Sequence, residues 1–205
     1  KVIGEWVLGK TIGEGSSGKV KLAVKKGTNE MPLASSSTPS EVTRHHKKEL
    51  YMIREAALGM LLNHPNIVRL HSAVLGDNHF YCLFEHVPGE DLVDHISRVG
   101  KIREKRARVI FRGVLRAIEY AHRNHVVHRD IKLENIRYDE TTDSVKVLDF
   151  GFASFYRPSS YLYTNCGSPC YAAPEIYDNR PYRGPEVDVW SLGVSLASLL
   201  GGRGP

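Results

Sequence analysis

The stretch that most constrains this chain is His128-Arg129-Asp130-Ile131-Lys132-Leu133-Glu134-Asn135, followed beyond a short apolar run by Asp149-Phe150-Gly151. A carboxylate, a lysine and an asparagine in one short loop, with a second carboxylate further on, can hold a hydroxyl nucleophile, a phosphoryl group and magnesium together. Val126 and Val127 before the loop, Ile136 and Tyr138 after it, and Val145, Val147 and Leu148 before Asp149 read as short strands bounded by Asp, Glu and Thr turn residues. Hairpin pairing of such strands brings the two motifs together. Asp130 is then placed to accept the proton of an attacking hydroxyl and Lys132 to neutralise phosphoryl oxygens. Asn135 and Asp149 are placed to ligate magnesium through hard oxygen atoms.

Taken in order with Ala173-Pro174-Glu175, these motifs resemble the signature set of eukaryotic protein kinases. The resemblance implies an α+β, two-lobed fold, with a small β-rich N-lobe over 1–84, a hinge over 85–90 and a mainly helical, truncated C-lobe over 91–205. It makes 149–175 an activation loop. It implies transfer of the γ-phosphate of ATP, with Mg2+, to hydroxyls of protein substrates. Lys132 together with Ser168 points to serine and threonine as acceptors. The segment Tyr161 to Tyr171, the opening Gly4 to Ile12 and the Arg54 to Gly59 run are similar to those of the AMP-activated, microtubule-affinity-regulating and fungal Kin-type kinases.

Nearer the start, Gly13-Glu14-Gly15-Ser16-Ser17-Gly18 is followed by Val20, Leu22 and Val24 at a period of two, so the glycines join strand to strand. This resembles the kinase glycine-rich loop, whose amides approach ATP phosphates because no Cβ atoms intervene. By the same resemblance Ile12, Gly13, Gly15, Gly18, Val20, Glu85, Val87, Asp91 and Asp149 surround ATP. Phe84 to Val87 resemble the hinge that holds adenine, and Asp91 matches the acidic position near the ribose. Asp91 and Glu134 also coincide with acidic positions that attract substrate arginines.

Two kinds of departure stand out. Where the family has a strand carrying an ATP-anchoring lysine, Met31 to Ser40 is Ser/Pro-rich and reads as a loop. Either Lys25, Lys26, Lys47 or Lys48 replaces that lysine, or the chain is a pseudokinase or interaction module with little phosphotransfer. Residues 47–62 read as a helix in which Glu55 matches the glutamate that pairs with the lysine. Gly59 stands where that helix usually offers a bulky side chain, so a void or a loosened helix is expected. Arg137 falls where the family packs an apolar residue beneath adenine, and a cation there either turns to solvent or is desolvated.

Thr164 matches the phosphorylated threonine of the activation loop, a site for an upstream activating kinase, with Arg129 gripping the phosphate. Asp188 is expected to cap the backbone of the His128-Arg129 turn. The remaining C-lobe helices are expected to be missing after Pro205.

With 41% hydrophobic residues in 205, the chain can bury a proper core. Its net charge of +5 is spread along the sequence. The densest basic run, Arg103 to Arg116, carries apolar residues at helical spacing and reads as the solvated face of an amphipathic helix, which leaves nucleic acid out as a partner. His45-His46 reads as a polar linker. Three cysteines at no metal-ligand spacing favour a reducing, intracellular and cytoplasmic setting. The first residues show no signal-peptide pattern, and no apolar run approaches a membrane span.

Overall fold

A computed structural model describes residues 2–15, 18–28, 33–37, 53, 56–75 and 79–205. The chain forms two compact units, one of residues 1–63 with 68–86 and one of 64–67 with 87–205.

The first unit is an antiparallel six-stranded sheet of order β1-β2-β3-β4-β6-β5. Its strands are β1 (Val2–Ile3), β2 (Trp6–Gly15), β3 (Gly18–Lys25), β4 (Leu33–Ser37), β5 (Leu70–Leu75) and β6 (Phe80–Phe84). The glycine-rich segment is the tip of the β2–β3 hairpin, with Gly15 opposite Gly18. Ala23 and Leu83 are fully buried on one face of the sheet against Trp6, Leu8 and Val74.

The loop expected over Met31 to Ser40 is corrected by β4. Leu33–Ser37 pairs with β3 on one side and β6 on the other, Ala34 lying opposite both Lys21 and Leu83. Its sequence, LASSS, has little strand propensity, but propensity yields where two flanking strands offer their hydrogen-bonding edges. The strand carries no lysine. The void expected at Gly59 is corrected too. Residues 56–61 are helical, and a Cβ on Gly59 would stand 3.0 Å from Cδ2 of Leu70, so β5 fills that space.

The second unit carries the 128–135 and 149–175 loops on helices and small sheets. After β7 (Glu90–Asp91), helix α1 (Leu92–Val99) starts with Asp91 as its N-cap, the Asp94 amide donating to Asp91 Oδ1 at 2.9 Å. Helix α2 (Glu104–Arg123) buries Ala107, Ile110, Val114, Ala117, Ile118 and Ala121 along one stripe, the pattern its apolar spacing requires. The hairpin of β9 (Ile136–Asp139) and β10 (Ser144–Val147) extends the pairing of β7. Strand β8 (Val126–Val127) pairs instead with β11 (Ser154–Phe155). Helices α3 (Pro174–Tyr177) and α4 (Pro185–Gly201) follow. Asn66 ties the unit's early segment to β10: its Nδ2 donates to Val145 O at 2.9 Å and its carbonyl accepts the Val147 amide at 2.8 Å. All three cysteines are free thiols. Among the described residues no helix is long and apolar enough to cross a membrane.

Two outcomes follow from this packing. Gly113 lets α2 lie directly on β10, since a Cβ there would stand 2.2 Å from Cγ1 of Val145. Gly113→Ala is expected to lose about 1–3 kcal/mol through overpacking, read as a lower urea midpoint at unchanged slope. His64 accepts the Asn66 amide on Nδ1 at 3.1 Å and stacks on Tyr120. Burial first, then the charges of Arg116 and Lys146, hold its imidazole below the ordinary 6.5. The unfolded chain therefore takes up the proton at a higher pH than the folded one, so the stability this group contributes is complete above 6.5 and is lost as pH falls below it. His64→Gln is expected to shrink the fall in urea stability between about pH 7 and about pH 5 relative to the parent chain.

Candidate active site

The loop after β8 is held by one carboxylate. Asp188, fully buried in the first turn of α4, accepts the His128 amide at 2.9 Å on Oδ2 and the Arg129 amide at 2.8 Å on Oδ1. His122 of α2 donates from Nε2 to the same Oδ2 at 2.7 Å. Backbone amides and an imidazole N–H around a carboxylate make charge-assisted bonds, which offset its desolvation. These bonds fix Arg129 at φ +69, a left-handed conformation that a long side chain rarely adopts.

His128 is fully buried and locks the loop from within. Its Nδ1 accepts the Asp130 amide at 3.2 Å, so the ring proton lies on Nε2 and is donated to the Leu148 carbonyl at 3.1 Å. The Leu148 amide donates to the Asn135 carbonyl at 2.8 Å. The β9–β10 hairpin thus returns the chain to its start, and the residue before Asp149 is bonded to both ends of the 128–135 loop. Phe150 packs against the His128 ring at 4.7 Å.

Asp130 lies at the centre of the polar cluster, only 4% exposed. Its Oδ1 accepts the Ser168 amide at 2.8 Å. Lys132 Nζ stands 3.1 Å from its Oδ2 and donates to Ser168 Oγ at 2.8 Å. Asn135, on the 3-10 turn Leu133–Asn135, donates from Nδ2 to the Asp130 carbonyl at 2.9 Å and to Oδ2 at 3.3 Å. The cluster is therefore a buried carboxylate beside a cation, with the 168–171 turn seated on it. That turn is anchored from α4, where Ser191 Oγ donates to the Tyr171 carbonyl at 2.8 Å. Tyr171 donates to Glu134 at 3.2 Å, and burial, then the Glu134 charge, pushes its phenol pKa up.

The donor set fits magnesium. Asn135 commits its amide nitrogen to Asp130, so its Oδ1 takes no hydrogen bond from a described residue. Asp149 is exposed at φ +51, and among the described residues only its Oδ1 is engaged, by the Gly151 amide at 3.1 Å. Magnesium is characteristically held by one or two such oxygens together with substrate phosphates.

Arg129 turns its guanidinium to the other side. Nε donates to the Phe152 carbonyl at 2.7 Å and Nη1 to the Tyr182 hydroxyl at 3.1 Å. Tyr182 in turn donates to the Thr164 carbonyl at 2.7 Å, while the Thr164 side chain is exposed. Gly167 lies under this region at φ +102, where a Cβ would stand 2.4 Å from the Arg129 carbonyl.

Of the other residues expected around a nucleotide, Ile12, Gly13 and Gly15 lie on β2 and Gly18 and Val20 on β3. Glu85 belongs to the first unit, where its carboxylate accepts the Arg69 amide at 2.8 Å, and Val87 is buried in the second. Asp91 caps α1. Glu55, His45, His46, Lys47 and Lys48 lie outside the described residues. Lys25 stands 3.4 Å from Glu5. Arg137 is partly desolvated: Nη2 donates to the Gly89 carbonyl at 2.5 Å and Nε is buried without a partner among the described residues. His122, Gly167 and Tyr182 escape a reading by motif. Gly167 alone leaves a signal, a glycine two residues after Asn165 in a loop otherwise poor in glycine.

Asp188→Asn would turn amide hydrogens toward the His128 and Arg129 N–H groups. The expected result is a loss of about 3 kcal/mol or more in chemical denaturation, with the 128–130 amides exchanging faster with solvent.

The protein kinase domain family matches residues 6–205. The chain is 43% identical over its whole length to protein kinase kin1 of Schizosaccharomyces pombe, covering 25% of that protein. It is 43% identical over 99% of its length to serine/threonine-protein kinase ppk25 of the same organism, covering 48% of it. To the human NUAK family SNF1-like kinase 1 it is 38% identical over 97% of its length, covering 30%. The chain thus spans between a quarter and about half of these relatives. With a buried loop carboxylate beside a lysine and a match over nearly every residue, this chain belongs to the protein kinase family, as a domain of the Kin and SNF1-like type.

Proposed function

We propose that this domain transfers the γ-phosphate of ATP to serine or threonine hydroxyls of protein substrates. The observation that carries the proposal is the Asp130 cluster, in which one buried carboxylate, Lys132 and the Ser168 turn share hydrogen bonds. A substrate hydroxyl beside Asp130 gives up its proton to that carboxylate as its oxygen bonds to the γ-phosphorus. The bond from that phosphorus to the bridging oxygen breaks, and ADP leaves. Lys132 lies where charge builds on the migrating phosphoryl oxygens, and its fixed place on Ser168 spares reorganisation at that moment. Asn135 Oδ1 and Asp149 would hold Mg2+, which would supply neutralisation of phosphate charge. The Ser168 turn, seated on Asp130, gives an extended substrate its place.

The same reading makes Thr164 a phosphorylation site for an upstream kinase. Its side chain is exposed, and Arg129 keeps N–H groups beyond those spent on Phe152 and Tyr182 for an added phosphate. The setting proposed is intracellular, where free thiols persist.

One observation favours the second reading, a pseudokinase or interaction module: the strand between β3 and β6 has the sequence LASSS and offers no lysine to ATP. Losing one cationic clamp costs several kcal/mol of barrier in a reaction whose catalysis is mostly positioning and charge stabilisation.

Incubation of the purified chain with Mg-ATP and an arginine-containing serine peptide separates the two. Phosphate incorporation that falls about 10²- to 10⁴-fold in Asp130→Asn is the expected outcome. Absence of incorporation together with absence of a thermal shift by Mg-ATP overturns it in favour of the interaction module.

A further inference from the structure

Tyr182 is 3% exposed, and its phenol sits between the Arg129 guanidinium and the Thr164 main chain. It accepts from Arg129, next to Asp130, and donates to the main chain at Thr164. Its own main chain forms a two-bond bridge with Leu162: the Leu162 amide donates to Tyr182 O at 2.7 Å and the Tyr182 amide to Leu162 O at 3.1 Å. Its ring packs with Ala173, Ile176 and Val187, and Leu162 closes over them. We infer that Tyr182 is a positioning residue that latches the 162–168 segment onto the Arg129 turn in the unmodified protein, and so seats the Ser168 amide on Asp130.

The chemistry supports a latch in particular. A tyrosine hydroxyl has one hydrogen to give, and here it goes to the Thr164 carbonyl, leaving the oxygen lone pairs for Arg129. The two bonds therefore run in one direction, from guanidinium to phenol to carbonyl, and each polarises the next. Burial pushes the phenol pKa up, so the hydrogen stays in place at ordinary pH. The Cys166 thiol lies against the same phenol and is likewise kept protonated by burial. No other side chain among the described residues joins Arg129 to the Thr164 backbone. Without the hydroxyl, the segment keeps its apolar packing and its bridge at Leu162 but loses the tether midway between Leu162 and Ser168.

The role in substrate seating rests on the kinase reading, whereas the latch itself does not, and the test separates them. Tyr182→Phe keeps the ring and deletes only the hydroxyl. Hydrogen exchange of the full chain is expected to quicken about tenfold in 162–168, the scale of one to two lost hydrogen bonds, and to stay unchanged in β9–β10. In phosphotransfer assays the peptide KM rises by a similar factor while that for Mg-ATP holds. Unchanged exchange in 162–168, or faster exchange throughout the second unit alike, overturns the latch. Should the parent chain transfer no phosphate while the exchange change stays local to 162–168, the latch stands and the kinase reading falls.

Discussion

The second unit depends on the carboxylate of Asp188. A buried charge is destabilising unless every lone pair is satisfied, and here two amides and an imidazole N–H converge on it from loop and helix. The consequence is directional. With the His128 and Arg129 amides turned inward, the chain must leave the turn through a left-handed Arg129, and that departure faces Asp130 and Arg129 in different directions. Asp130 goes to the Lys132–Ser168 cluster and Arg129 to the Phe152 and Tyr182 side. One capping interaction thereby sends two adjacent side chains into different hydrogen-bonded clusters.

The second organising element is the β9–β10 hairpin. It brings Leu148 back against His128 and Asn135, and Asp149 leaves this junction in a left-handed conformation of its own. Arg129 and Asp149 are among the few non-glycine residues with positive φ, and both sit at the candidate site. Strain of this kind costs on the order of 1–3 kcal/mol per residue and persists only where surrounding contacts over-determine it. At Arg129 the Asp188 bond does so, and at Asp149 the bonds of Leu148 on one side and the packing of Phe150 on His128 on the other.

Sequence makes the chemistry-bearing residues legible because they are local: Asp130, Lys132 and Asn135 fall in one loop, and their hairpin announces itself by alternating apolar residues. What escaped depends on partners far along the chain. Gly59 looks like a missing side chain until Leu70 of β5 is seen to occupy its place. LASSS looks like a loop because propensity is all that a single strand displays, whereas its order comes from the edges of β3 and β6. His122 and Tyr182 read as ordinary helix and loop residues, since nothing in their own neighbourhoods reports a buried carboxylate or a guanidinium at tertiary distance.

The departures from the family pattern fall unevenly, and this bears on what the domain retains. Around the 128–130 loop the buried charges are satisfied: Arg129, Asp130 and Asp188 each have a hydrogen-bond partner. The residues that differ in kind, the serines of β4 and Arg137, belong to the surroundings expected for the nucleotide. The hydrogen bonds of Asp188 and Asp130 involve neither β4 nor Arg137, so these departures leave that part of the second unit untouched.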